Sequence, residues 1–259
     1  MIARRRASKP LSRDGAEPKQ SPETLPNMAF PILLIPGLNC TAEIFSAQLP
    51  ALWQFGPVMI ANHTQGATMA EIARSILAEA PPKFALAGFS MGGYIAFEVM
   101  RQASDRVLAL ALLDTSARPD SPEAAEKRRS SIALAEQGKF VATVQQSFPN
   151  AVHPDHVDDS RLRALHVGMA RANGPEVYIR SQQAILTRPD SRPDLSGIKV
   201  PTLVLVGDAD GVTPPDAARE MASSIPGAKL VTVRKAGHLT LAEQPEAVTS
   251  AMVGWFGGL

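Results

Sequence analysis

Positions 88–93 read GFSMGG, between the apolar run KFALA and the apolar stretch YIAFEVM. Glycine and serine also build ordinary surface turns. A serine between glycines at the point where a strand gives way to a helix is, alternatively, the arrangement of a nucleophile on a strained elbow. Its hydroxyl attacks a carbonyl only when an adjacent imidazole takes the proton, and that imidazole needs a carboxylate to fix its tautomer and offset its charge. The chain offers Ser90 for the first role, His238 or His63 for the second, and Asp210, Asp208 or Asp114 for the third. A helix starting at Met91 aims its free N–H groups toward the reacting centre, which makes the Met91 amide a donor to a developing oxyanion.

The elements that must position these residues follow from the apolar runs. PILLI (31–35), PVMIA (57–61), KFALA (83–87), VLALALLD (107–114), PTLVLVG (201–207) and AKLVTV (228–233) read as strands. Between them lie helical patterns: a candidate near 41–53, TMAEIARSILAEA with Met69, Ile72, Ile76 and Leu77 on one face, PPDAAREMASSI and QPEAVTSAMVGWF. Strands apolar on both faces and separated by helices predict α/β architecture, a parallel sheet covered on each side. Ligands of such sheets gather at the carboxyl ends of the strands. The segments that follow the strands there are PGLN, NHTQG, GFSMGG, DTS, GDADGVTPP and RKAGHLTLAEQP, so the serine, the acids and the histidines share one rim. From about Thr115 to Ser196 the rhythm stops. EAAEKRRSSIALAEQ and RLRALHVGMARA are helical with no strand between them, so 116–196 reads as an insertion into a core made of 29–115 and 197–259.

GFSMGG at a strand-to-helix turn, then GDAD before TPP, then AGH, resemble the α/β-hydrolase superfamily in residue type and in order, from Phe30 to the C-terminus. The resemblance implies the α/β-hydrolase fold, with a sheet of about six strands because the opening antiparallel hairpin of many relatives has no counterpart here. It implies that the insertion is a helical lid, and that the catalytic order is serine, acid, histidine: Ser90, Asp210, His238. Asp114 stays open as the acid, since some members place it at the end of that strand, and so does Asp208. His63 precedes the serine and breaks the order; it lines the pocket or is a solvated loop residue. By the same resemblance the second oxyanion donor is the Leu38 amide. The family usually has histidine before the oxyanion-loop glycine, whereas here Pro36 precedes Gly37, so that loop must be braced another way. The implied activity is cofactor-free hydrolysis of a small carboxylic ester, lactone or thioester through an acyl-enzyme. The same triad in relatives also serves C–C hydrolysis, perhydrolysis, elimination or, in a receptor, ligand binding. The stretch from Gly174 to Pro215 is similar to enol-lactonases and to the pimeloyl methyl ester esterase group.

Composition bounds the partners. Lysine and arginine total 26 against 25 acidic residues, so no electrostatic footprint for nucleic acid or a membrane surface exists, and a small molecule is the expected partner. No apolar run approaches the roughly 20 residues that span a bilayer. Cys40 is the single cysteine, read as core filler. His153 and His156 beside Asp155, Asp158 and Asp159 lack a ligand motif, so no metal is expected. Residues 1–28 are polar and proline-rich and read as a disordered leader. Arg4, Arg5 and Arg6 are not followed by the apolar segment of an export signal, which leaves cytoplasmic residence as the default expectation.

Overall fold

The structure, a computed structural model, describes residues 29–259; the leader reading for 1–28 lies outside them. Six strands, β1 (Ile32–Ile35), β2 (Val58–Ile60), β3 (Phe84–Phe89), β4 (Val107–Leu113), β5 (Thr202–Gly207) and β6 (Lys229–Val233), form one sheet in the order β2-β1-β3-β4-β5-β6. Every pairing is parallel, with Leu34 opposite Ala87 and Gly88 opposite Leu112 in the centre. Parallel strands need crossovers, and here helices supply them on both faces.

The alternation of side chains along each strand feeds two cores. Ile32, Leu34, Ala87, Phe89, Leu113 and Leu205 face one way, against α1 (Leu49–Leu52), α8 (Thr240–Glu243) and α9 (Pro245–Phe256). Leu33, Ile35, Leu86, Leu112 and Val204 face the other, against α2 (Met69–Glu79), α3 (Met91–Ala103) and α7 (Pro215–Ser224). Continuous apolar runs such as PILLI are therefore consumed on both faces. Thr68 caps α2 by accepting the Glu71 N–H at 3.2 Å.

Between β4 and β5 lie α4 (Pro122–Leu134), α5 (Phe140–Ala151) and α6 (Ser160–Leu186). Asp159 starts α6 by accepting the Arg161 and Leu162 amides at 2.8 and 3.0 Å. Ala135, Phe140, Val144, Ala170 and Tyr178 give this segment a small core of its own. Three details differ from the sequence reading. The helix expected near 41–53 is broken into a 3₁₀ turn at Ala42–Phe45, the short α1 and a second 3₁₀ turn at Trp53–Phe55; Pro50 has no N–H to continue a ladder from the first turn. The insertion holds one helix more than the two read from its sequence. FVATVQQSFPNA, not read as a helix because of Pro149 inside it, does carry Phe140, Val144 and Phe148 at helical spacing, and forms α5 because these bury along one face. Helix α6 also runs beyond Ala172, bending at Gly174 (φ +81°) before Pro175.

The turn from β3 to α3 is crowded. A β-carbon on Gly92 would fall on the Ile35 carbonyl, and one on Gly88 would fall on the Gly92 carbonyl. Backbone cannot retreat there without disturbing the sheet. Gly92→Ala is expected to cost about 1–3 kcal/mol; in urea unfolding the midpoint should fall while the slope stays that of the parent protein.

Candidate active site

Ser90 occupies the apex of that turn with φ +54° and ψ −116°, unfavourable for a residue with a β-carbon. Neighbouring strands hold it there. Its N–H donates to Leu113 O at 2.9 Å, and its carbonyl accepts from the Gly93 amide at 2.9 Å and from Thr115 Oγ1 at 2.7 Å. The hydroxyl thereby stands clear of the backbone, 2.8 Å from His238 Nε2. His238 Nδ1 lies 2.8 Å from Asp210 Oδ2. An ionised carboxylate only accepts, so Nδ1 carries the proton and Nε2 is left with the lone pair that faces Ser90.

Asp210 is tightly clamped. Oδ1 accepts the Val212 and Thr213 amides, each at 2.8 Å, and Oδ2 accepts Thr213 Oγ1 at 2.7 Å. Burial pushes its carboxyl up, but the charge and hydrogen bond of His238 and the two bonds from Thr213 together outweigh burial and hold it below the usual carboxylate range. The two rival acids are engaged elsewhere. Asp114, fully buried, accepts from the Gly207 amide at 3.0 Å and from Thr240 Oγ1. Burial first and the neighbouring Asp210 charge second push it well above the usual range, against the bonds from Thr240 and Gly207. Asp208 accepts the Ala236 amide at 3.2 Å.

The Leu38 and Met91 amides have no acceptor among the described residues, and Gly37 packs so closely that a β-carbon there would lie 3.0 Å from Ser90 Cβ. His63 neither lines the cavity nor faces solvent: it is 4% exposed, behind the loop that carries Gly37. Burial pushes its pKa down to about 4, with the Gly37 and Ala61 carbonyls pulling it partly back. Burial also drives the Cys40 thiol up to about 12, so it stays protonated, consistent with filler. His153 and His156 are tied to protein groups: Glu243 Oε2 meets the His153 amide at 2.7 Å and His156 Nδ1 at 2.8 Å, while its Oε1 accepts the Gly237 amide at 2.8 Å.

Ser90 and His238 open onto a cavity of about 930 Å³, walled by Leu38, Leu134, Val144, Tyr178 and Val212 among others. Thr213 and Glu243 are site residues that the sequence reading did not single out. Thr213 had a partial signal, since an aspartate side chain commonly accepts from the backbone two residues on and closes a turn over the residues that follow it. Glu243 had none, because its partners lie in loops far away in sequence.

Such an elbow, relay and rim on an all-parallel sheet have counterparts among known proteins. The profile of the alpha/beta hydrolase fold family matches residues 67–245. A pimeloyl-[acyl-carrier protein] methyl ester esterase of Neisseria meningitidis serogroup C is 25% identical over 242 residues, 87% of this chain and 93% of the relative. Among solved structures, an esterase from Thermogutta terrifontis superposes with a TM-score of 0.80 at 32% identity, covering 89% of this chain and 90% of the other. The enol-lactonase from Burkholderia xenovorans LB400 gives 0.80 at 26% identity, covering 88% and 92%. The chain belongs to the alpha/beta hydrolase fold family and is an enzyme of that family. Among the described residues no helix is long and apolar enough to cross a membrane.

His63 supplies a stability test. Its folded pKa of about 4 lies below the ordinary 6.5, so between these values the unfolded chain binds the proton first. The contribution is complete above pH 6.5 and is lost as pH falls toward 4, on the order of 2 kcal/mol by pH 4.5. Thermal unfolding of His63→Gln should show a smaller loss of stability between pH 7 and 4.5 than the parent protein. Equal losses would place the buried imidazole's titration elsewhere.

Proposed function

We propose that this enzyme is a serine hydrolase that cleaves a small carboxylic ester, lactone or thioester through an acyl-enzyme. The observation that carries the reading is the unbroken relay of two 2.8 Å contacts from Asp210 through His238 to Ser90, at the wall of a largely apolar cavity. Ser90 Oγ attacks the carbonyl carbon while His238 Nε2 takes its proton. The carbonyl oxygen gains negative charge and is met by the Leu38 and Met91 amides. Collapse breaks the bond to the leaving oxygen or sulfur, which receives the proton from His238. Water then gives a proton to His238 and attacks the acyl carbon; the second collapse releases the acid and returns the proton to Ser90. Asp210 keeps its negative charge throughout and stabilises the imidazolium.

Three relatives with separate names support the ester or lactone bond as the target: an esterase, a methyl ester esterase and an enol-lactonase. Residues 116–196 act in this reading as a lid, since α4, α5 and α6 supply most of the cavity wall away from Ser90.

The acid is tested by neutral isosteres. Asp210→Asn should lower kcat on a nitrophenyl ester about 10³- to 10⁴-fold, because the amide favours the wrong imidazole tautomer. Asp114→Asn should stay within about tenfold of the parent. The reverse ranking would give the acid role to Asp114. A fluorophosphonate probe should label the parent protein rapidly and Ser90→Ala not at all; sluggish labelling of the parent would point to a binding protein instead.

A further inference from the structure

Among the polar groups on the cavity wall, one has an orientation dictated by its neighbours. Gln182, on α6, is 5% exposed and lines the cavity shared with Ser90 and His238. Its side-chain oxygen accepts from Arg128 Nη1. A guanidinium has donors only, so the atom turned toward Arg128 must be the amide oxygen and the NH2 group must point away from it. Arg128 is itself immobilised: its Nε and Nη2 donate to Asp120 at 2.8 and 3.2 Å. Asp120 is shared with Arg188 at 2.8 Å, and the Arg188 guanidinium lies 4.3 Å above the Tyr94 ring. Gln182 Nε2 has no acceptor among the described residues and keeps some accessible surface at the cavity wall.

A donor at the edge of a cavity with no protein acceptor is left to solvent or to a ligand, and here the bond from Arg128 fixes which way it points. At the wall of a binding cavity, that arrangement suits a partner oxygen that arrives with the ligand. We infer that Gln182 is a specificity-determining residue: its amide donates to a second sp² oxygen, a carbonyl or carboxylate, that the substrate carries away from the scissile bond. The inference rests on the serine hydrolase reading for the identity of the reacting bond, but not for the subsite itself. The class of oxygen follows from charge. One carboxylate between two guanidiniums leaves excess positive charge behind the Gln182 amide, which strengthens it as a donor and favours electron-rich oxygens over ethers. A site built to donate a hydrogen bond also rejects the analogue that lacks the acceptor, because its own donor is then stranded.

The test uses the full chain and methyl esters matched in length: methyl hexanoate, methyl 5-oxohexanoate and monomethyl glutarate, with the distal oxygen then moved one carbon at a time along the chain. The parent protein should favour at least one oxo or carboxylate ester over its apolar counterpart by tenfold or more in kcat/KM. Gln182→Leu and Gln182→Glu should bring that ratio to within about threefold of one. The glutamate variant keeps an acceptor for Arg128 while removing both N–H donors, so it separates loss of the donor from damage to the arginine cluster. The oxo and carboxylate arms tell which oxygen is preferred. Absence of any preference in the parent protein, or its survival in both variants, overturns the subsite. Ligand-observed NMR of the same esters with Ser90→Ala, with and without Gln182→Glu, separates the two readings. Preferential, Gln182-dependent binding without turnover by the parent protein keeps the subsite and removes the hydrolase reading; turnover without preference does the opposite.

Discussion

The backbone at Ser90 adopts φ +54° and ψ −116°, and a serine does not hold that conformation unless its surroundings leave it no other. Leu113 at the end of β4, Thr115 just beyond it and Gly93 in the first turn of α3 each bond the Ser90 peptide. Those bonds exist only because β3 and β4 are in register and α3 lies close enough to touch Ile35, which in turn requires glycine at 88 and 92. The two apolar faces of the sheet thus underwrite a local strain that no segment of the chain could support alone. Stability of the core and exposure of one hydroxyl are the same fact seen at two scales.

Three carboxylates stand near the ends of β4 and β5, and their hydrogen-bond partners decide what each becomes. Asp210 receives two backbone amides, a hydroxyl and an imidazole, enough to remain ionised despite burial. Asp114 receives one amide and one hydroxyl in a fully enclosed position, with Asp210 as a like charge nearby, and is driven toward its neutral form. Putting a negative charge on both would repel in a medium that screens poorly. The pair is therefore divided in labour, one carboxylate facing the imidazole and the other joining the end of β5 to the start of α8.

Much of this was legible from the chain because the determining signals are local. Apolar runs of strand length, helical spacing around Met69 and Ile76, and glycines about Ser90 specify elements and a turn without reference to the rest of the molecule. The segments after the strands placed the candidate side chains on one rim, and the order implied by the family resemblance chose among them. What escaped depends on contacts between distant segments. Helix α5 is a partial exception, since Phe140, Val144 and Phe148 stand at helical spacing and only Pro149 obscures it. His63 faces the loop of Gly37, a partner from another strand end, so neither a pocket position nor a solvated one describes it. The break around Pro50, by contrast, has a local signal in a residue without an N–H.

Glu243 links the end of α5 to the histidine loop. One oxygen holds the segment of His153 and His156, the other holds Gly237, and the Ala151 carbonyl also takes the His238 and Leu239 amides, each at 3.0 Å. The flank of the insertion at 151–156 is thus stapled to the very peptide that carries the imidazole. Swinging that flank outward would drag the His238 imidazole from the Ser90 hydroxyl, so the 2.8 Å contact between them and an opening on this side exclude each other. On the α4 side the ties run instead from Arg128 to Asp120 and Gln182, clear of the imidazole, beside exposed Glu123 and Lys127 on the cavity wall.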